Sequence, residues 1–521
     1  MKMKKIYLGL VMSAAMLTTS CDMDTTNYGV IDQGNYIQTM ADCESFINGI
    51  YAHMRGKCGG DYVFWPDVQM DQFIGLSDNG NRGGLLSLGQ LRAGDTDLAN
   101  IYYNLYIEIN DANYFEPRVD ALIESDNFTA DEKATLKFYK GTAKFSRAFA
   151  YVYLFDKFVN YKEADLDAAG KGLQIETKFQ PSGNRGSYVG RSTIRETVKY
   201  INDQLTEAYD LVREYELNVS TQYCAPNAAR ISSYTIAALQ ARFALMTQDY
   251  ATAAAKAELV INSGNYELAD AASYADMWLN DEGPELLFVP YAAPGTGGQA
   301  IGANYYRDNQ KNASDYIPVA DAILAYGEGD VRFDAFFELY QPLQVAGEDY
   351  YAYAFNKFPG NPALNTGSTN AMLNKGKPFR LSELYLIAAE AYAMPGSQKN
   401  EAKANEYLNG LRSARIEGYT EQDYTGEALI AQVRKERGME LIGEGFRLGD
   451  LRRWGQGFTR EAGFDVFAGT GLAPLAYIMD VIVNQGNNLS YQPTDYRFVW
   501  PIPTREMQVN PQLTGQQNPG Y

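Results

Sequence analysis

"YTIAALQARFALMTQDYATAAAKAELVINSGNYEL", Tyr234–Leu268, is the stretch whose pattern decides the fold. It holds two apolar runs of helical period separated by a polar break at Gln248–Tyr250, the length of a turn between antiparallel helices. Ala237, Ala241, Ala253 and Ala257 recur at four-residue spacing, so each helix presents small side chains where a neighbouring axis can come close. The unit is about 34 residues long, the period of a tetratricopeptide-type repeat. A second pair has the same form, "RLSELYLIAAEAYA" from Arg380 and "NEAKANEYLNGLRSAR" from Asn400. Such pairs cannot bury both faces alone, so they are expected to stack into a superhelical scaffold. An unrelated bundle that uses alanine for packing would give similar spacing.

Outward from this stretch the helical period recurs. "NYIQTMADCESFINGIYAHM" puts Phe46, Ile47, Ile50 and Tyr51 on one stripe. "LANIYYNLYIEINDANYF", "ATLKFYKGTAKFSRAFAYVYLFDKFV" and "RSTIRETVKYINDQLTEAYDLV" continue it. Residues 56–97 break the period, with "NGNRGG" at Asn79–Gly84, and residues 270–377 break it again in a segment rich in Gly, Pro, Asn and Tyr. A long irregular insertion on a rigid helical scaffold is where binding function tends to sit. The fold class is therefore mostly all-α, a TPR-like helical-repeat scaffold carrying an irregular, loop-rich ligand-binding lobe at about 270–377. Prolines 501, 503, 511 and 519 argue for an extended C-terminal strap rather than a helix, with Trp500 as its packing anchor.

The charge balance excludes several functions. The formal net charge of −19, with no long basic run after Lys5, speaks against nucleic acid as a partner. A single histidine, His53, leaves no room for a His-rich zinc site, and a Ser-His-Asp triad or Cys-His dyad would have to use that one ring. It sits at a predicted helix end and is read as structural or exposed. No CxxC spacing and no EF-hand spacing is present, so no metal site or cofactor is assigned.

The N-terminus reads as a targeting segment. "MKMKK" is basic, and the twelve-residue apolar run "IYLGLVMSAAML" is too short for a membrane-spanning helix, which needs about 20 residues. Thr19 and Ser20 lead into Cys21, the arrangement a lipoprotein signal peptidase acts on, although Leu17 lies one position further from the cysteine than usual. Residues 1–20 are then a signal peptide and Cys21 the lipidation site. Cleavage at an ordinary signal site nearby, or pairing of Cys21 in a disulfide, are the alternatives. Removal of residues 1–20 takes away three lysines and no acid, so −19 becomes −22. With Cys21 lipidated, Cys43, Cys58 and Cys224 allow at most one disulfide.

The ordered motifs "INGIYAHM", "GPELLFVPY", "DVRFDAFF", "FRLSELYLIAAEAYA", "YLNGLRSAR", "ERGMELIGEGFRLGDLRRWG" and "WPIPTREMQVNPQLTGQQNPGY" run through nearly the whole chain. In them the sequence resembles the SusD/RagB family of outer-membrane nutrient-binding lipoproteins. The resemblance implies an N-terminal region over 21–230 and a C-terminal region over 231–521. It also implies capture of nutrient, usually oligosaccharide, at the cell surface and delivery to a SusC-like TonB-dependent transporter, without catalysis. The protein would be lipid-anchored in the outer membrane and face the cell exterior. A peptide-capturing RagB-like lipoprotein, or a TPR scaffold that binds only protein partners, are the alternatives.

Glu436, Glu440 and Glu444 recur every four residues, which on one helix aligns three like charges. They need partners, and Arg437 and Arg447 lie three residues from Glu440 and Glu444. A glycosidase would use two such carboxyls as an acid/base pair flanking a sugar. The structural reading, an ion cluster of Glu436, Arg437, Glu440, Glu444, Arg447, Asp450 and Arg453, is preferred, and no catalytic residue is assigned. Sugar recognition asks for exposed rings that stack on C–H faces, beside planar polar groups. The candidates are Trp65, Asp71, Asn81 and Arg82 in one loop region, and Trp278, Tyr291, Tyr305, Tyr306 and Tyr316 in a second. Trp278 is weighted towards the core, whereas Tyr305 and Tyr306 are weighted towards exposure.

Overall fold

The structure, a computed structural model, describes residues 36–75, 84–295, 297–307, 310–345, 348–367, 370–460 and 489–521. Its first helix is α1 (Met40–Lys57), followed by α2 (Asp61–Val68) and the long hairpin of α3 (Thr96–Glu124) and α4 (Ala130–Phe158). Then come α5 (Ile194–Asn218), the pair α6 (Ser233–Met246) and α7 (Tyr250–Ile261), and, after the insertion, α10 (Leu381–Ala393), α11 (Glu401–Arg415), α12 (Gly426–Glu440) and α13 (Arg447–Trp454). Inside the insertion lie α8 (Tyr274–Asn280) and α9 (Val331–Phe336). The mostly helical class expected from the sequence is what forms.

Four of the helices begin on capping boxes. Thr39, Thr129, Thr193 and Ser232 each accept from the backbone three residues on, where Asp42, Glu132, Glu196 and Thr235 reach back. Each box satisfies donors the helix leaves orphaned, which fixes where the helix starts. Ala237, Ala241, Ala253 and Ala257 are all buried. They let α6 and α7 lie close together, and α7 in turn packs on α10. Thus α7 and α10, separated by residues 262–380, are neighbours in one helical layer, and the lobe is inserted between them.

The neck of the lobe is an antiparallel ladder of β2 (Leu286–Phe288) with β8 (Phe379–Arg380). Within the lobe β3 (Tyr306–Arg307) pairs with β4 (Gln310–Ser314), and β6 (Phe337–Val345) forms a hairpin with β7 (Glu348–Phe355). A fourth ladder ties the lobe to the N-terminal region, β1 (Phe73–Gly75) with β5 (Tyr316–Pro318). A fifth lies outside it, β9 (Phe458–Arg460) with β10 (Leu489–Tyr491). The C-terminal residues cross the end of α4, where the Trp500 amide donates to the Lys157 carbonyl and Asn518 to that of Phe158. The course is not extended throughout. Thr504–Val509 forms a short helix, because Pro503 precedes its first turn rather than interrupting it.

Buried charge locks lobe to scaffold. The Glu440 carboxylate, fully buried at the end of α12, accepts from Arg380 at 2.8 Å, Arg415 at 3.1 Å, Arg332 at 3.2 Å and the Tyr274 hydroxyl at 3.1 Å. Glu285 accepts from Arg380 at 2.6 Å and Arg415 at 2.7 Å, and Glu444 from Arg380 at 2.6 Å and Lys357 at 2.7 Å. Burial opposes charge on Glu440, but Arg415, Arg380 and Arg332 outweigh it and hold the carboxyl well below the usual range.

The partners differ from those expected by helical spacing. The helix ends at Glu440, and Gly443 and Gly445, with φ of +78° and +84°, turn the chain so that Glu444 reaches the network from a loop. Arg437 pairs with Asp450 at 2.7 Å rather than with Glu440, and Arg447 with Asp71 at 2.6 Å rather than with Glu444. Arg453 spans Asp450, at 3.0 Å, and Glu390.

Candidate functional site

The candidate ligand residues do not form one platform. Trp65, Trp278, Tyr305, Tyr306 and Tyr316 are all 7% exposed or less, which corrects the expectation that Tyr305 and Tyr306 are open. Tyr305 lies with its ring centroid 4.7 Å from Phe355, 5.0 Å from Phe73 and 5.1 Å from Phe64. The Tyr306 hydroxyl donates to the Phe355 carbonyl, and Tyr316 packs edge-on against Phe64. Trp65 meets Trp500, whose indole N–H donates to Gln69 at 2.8 Å. Trp278 has the Lys357 ammonium 4.5 Å and the Arg380 guanidinium 5.1 Å from its ring, so its face is taken by cations. A ring closed in on all sides has no face left for a sugar.

Tyr291 is different. It is 66% exposed, and its carbonyl accepts from Arg55 at 2.8 Å, which pins the loop beneath a free ring. Asn81 and Arg82 lie outside the described residues. So does Cys21. Cys43, Cys58 and Cys224 are buried free thiols, with no disulfide among them. His53 lies within α1, about half exposed, 2.7 Å from the Asp111 carboxylate.

Asp71 leads to an open groove of about 500 Å³. One wall is α12, through Arg434, Lys435 and Gly438. A second is the end of α13 with Trp454 and strand β9 with Thr459 and Arg460, and the third is the chain at 71–72 and 319–326. The walls are braced by hydrogen bonds. Gln72 donates to the Gly438 carbonyl at 2.8 Å, and the Tyr326 hydroxyl to that of Met439 at 2.8 Å. Arg447 grips Asp71 with two N–H groups, at 2.7 and 2.6 Å, so this carboxylate is held in place at the groove edge. Arg460 is buried and donates to the carbonyls of Val68, Met70, Phe73 and Ser87. Burial lowers its guanidinium to about 10.

Sequence reasoning named Asp71 but assigned Arg447 to the structural cluster, and it passed over Arg434. Trp454 does use its N–H structurally, donating to Glu390 at 2.8 Å, while its half-buried ring lines the groove with Arg434 5.3 Å from its centroid. The run "DLRRWG" on a short helix was the available signal. A second cavity, of about 130 Å³, lies between α4, α6 and the lobe and is walled by Trp278, Phe149 and Tyr153. No group of three or more potential metal ligands occurs among the described residues. None of their helices is long and apolar enough to cross a membrane.

Comparison with known proteins agrees with this architecture. A family model described as the SusD family matches residues 262–521. SusD-like protein P2 of Formosa agariphila is 24% identical over 564 residues, covering 100% of both chains. SusD-like protein P25 of the same organism is 24% identical over 368 residues, 59% of this chain and 62% of that protein's length. Among solved structures, a SusD superfamily protein from Bacteroides thetaiotaomicron superposes with a TM-score of 0.73 at 25% identity, covering 92% of this chain and 100% of that one. A SusD-like carbohydrate binding protein from Bacteroides vulgatus superposes with a TM-score of 0.70 at 18% identity, over 92% of this chain and 98% of that one. With the helical scaffold, the inserted lobe and the C-terminal motifs all in place, the chain belongs to the SusD family.

Proposed function

We propose that this protein captures oligosaccharide nutrients at the cell surface, anchored in the outer membrane through lipid on Cys21, and hands them to a SusC-like TonB-dependent transporter without cleaving them. The observation that carries the reading is the braced groove at Asp71. It is concave, of a volume suited to a small ligand, and rigid before any ligand arrives. Its polar edge suits hydroxyl groups, and its Trp454 ring supplies an apolar patch. Tyr291, which is not part of the groove lining, offers a separate exposed ring on which a sugar face can stack.

The test is a calorimetric screen of residues 22–521 against oligosaccharides and peptides, repeated with Asp71→Asn and Tyr291→Ala. Saccharide binding weakened by Asp71→Asn supports the groove, and weakening by Tyr291→Ala alone moves the site to the loop. Binding of peptides only, or of nothing in the screen, overturns the reading. Protease shaving of intact cells checks the outward-facing anchor, which predicts loss of the protein without cell lysis.

A further inference from the structure

The groove is cationic on a strongly acidic chain. Its lining includes Arg434, Lys435, Arg447 and Arg460 against two carboxylates, Asp71 and Asp321. The chain as a whole carries −19. Arg447 and Asp71 neutralise each other in their paired geometry. Arg460 places its two terminal nitrogens on main-chain carbonyls and leaves its buried Nε unpaired, so its charge meets no carboxylate directly. Asp321 is exposed, on the wall formed by residues 319–326, and offsets only one of the remaining cations. What remains is an excess of positive charge facing the concavity. Fields are screened over about 8 Å at physiological ionic strength, so these groups, and not the distant surface acids, set the potential a bound ligand meets.

Arg434 gives that potential a specific direction. Of the arginines between 412 and 460, Arg412, Arg415, Arg437, Arg447, Arg452, Arg453 and Arg460 all donate to a carboxylate, a hydroxyl or a main-chain carbonyl. Arg434 donates to none among the described residues, and its Nε is buried without a partner. It is held instead against the Trp454 ring and faces the groove. Arg434 is only partly buried, and its terminal N–H groups have no acceptor among the described residues, so they can meet a planar or tetrahedral anion in the groove, which such a fork binds through two hydrogen bonds. Lys435, exposed on the adjacent position of α12, adds a mobile second charge.

We infer that the groove at Asp71 selects anionic saccharides, with Arg434 and Lys435 reading a carboxylate or sulfate group on the sugar while the Asp71–Arg447 pair faces its hydroxyls. This inference rests on the glycan-capture reading and narrows its substrate class. Carboxylate and sulfate share the required chemistry, and the experiment separates them.

Residues 22–521 are titrated by calorimetry with oligogalacturonides, with sulfated chondroitin oligosaccharides, with neutral cello- and xylo-oligosaccharides and with an oligoglutamate peptide. Each titration is run at 50 and 300 mM NaCl. The variants are Arg434→Gln/Lys435→Gln and Arg434→Lys, each checked for an unchanged melting temperature. One of the two anionic saccharides is expected to bind, with affinity that falls as salt rises. The double variant is expected to weaken it at least about tenfold, while Arg434→Lys keeps part of it. The preferred anion identifies the group read. Neutral saccharides binding as tightly as anionic ones, or a double variant that binds normally, overturns this inference and leaves glycan capture standing. Binding of oligoglutamate alone, or of no saccharide at all, overturns both.

Discussion

Replacing Glu440 by glutamine isolates the value of the buried charge network. The buried carboxylates Glu285, Asp330, Glu436 and Glu440, with the less buried Glu444, face the buried cations Arg332, Lys357, Arg380 and Arg415, with the less buried Arg412 at the edge. Glutamine keeps the shape of the side chain, so no cavity opens. It removes one negative charge from a balanced interior and turns an N–H₂ towards Arg332, or towards Arg380 and Tyr274, where only an acceptor fits. Breaking a buried pair by removing one partner costs about 3–5 kcal/mol. Unfolding entropy of about 2 cal/mol/K per residue makes each kcal/mol worth about 1 °C in a chain of this length, so scanning calorimetry at pH 7 should show a melting temperature lower by about 3–5 °C.

Adding Arg415→Met to Glu440→Gln restores the charge balance. The double variant should lose at least about 1 kcal/mol less than the two single losses combined. A single variant within 0.5 °C of the parent, to the order of that estimate, or strictly additive losses, would refute the view that charge balance holds the lobe to the scaffold. The pH dependence has a definite sign. The Glu440 carboxyl is held below its unfolded value, so its contribution is complete above about pH 4.5 and is lost as pH falls through the folded value.

Substitutions at three further positions test other parts of the structure. The Tyr305 hydroxyl is buried without a hydrogen bond, so Tyr305→Phe should be neutral or stabilising by up to about 1 kcal/mol, read as an unchanged or higher melting temperature, whereas Tyr305→Ala should cost about 3–5 kcal/mol. Gly443 has φ +78°, and a Cβ there would come within 2.4 Å of the Phe355 ring, so Gly443→Ala should lower stability by about 2 kcal/mol or more. His53 titrates alone, as the only imidazole in the chain, and its hydrogen bond to Asp111 raises it above the usual value. Two-dimensional NMR should show that elevation abolished in Asp111→Asn. The pair stabilises the fold below the unfolded histidine pKa and is lost as pH rises through the folded one.

Much of the scaffold was legible because its information is local. Alanine spacing, cap residues and helical period all act within one or two turns, and the helices at 96–124, 130–158 and 233–261 follow from them. The lobe was less legible. Its β6–β7 hairpin shows alternation in "YYAYAF", yet a tyrosine-rich run of period two does not reveal which face is covered. That was decided by distant contacts, such as Tyr305 against Phe64 and Phe73, and Tyr306 against the Phe355 carbonyl. The charge cluster showed the same division. The need for partners to Glu440 was readable from its neighbours, but Arg332, Arg380 and Arg415 came from other parts of the chain, and the nearby Arg437 and Arg447 were engaged by Asp450 and Asp71. Asp71 reached the groove from a sugar-chemistry argument, whereas Arg434 is distinguished only by a missing partner, a property no single sequence displays.

The placement of the lobe between two touching helices bears on how such a protein can change over time. Since α7 and α10 meet across residues 262–380, the cost of the segment joining them is set by the closure of a loop, which grows only with the logarithm of its length. Doubling that segment would add about 0.6 kcal/mol, less than one exposed cap residue is worth. Lineages can therefore lengthen, shorten or exchange the lobe while the helical frame that carries it keeps its stability.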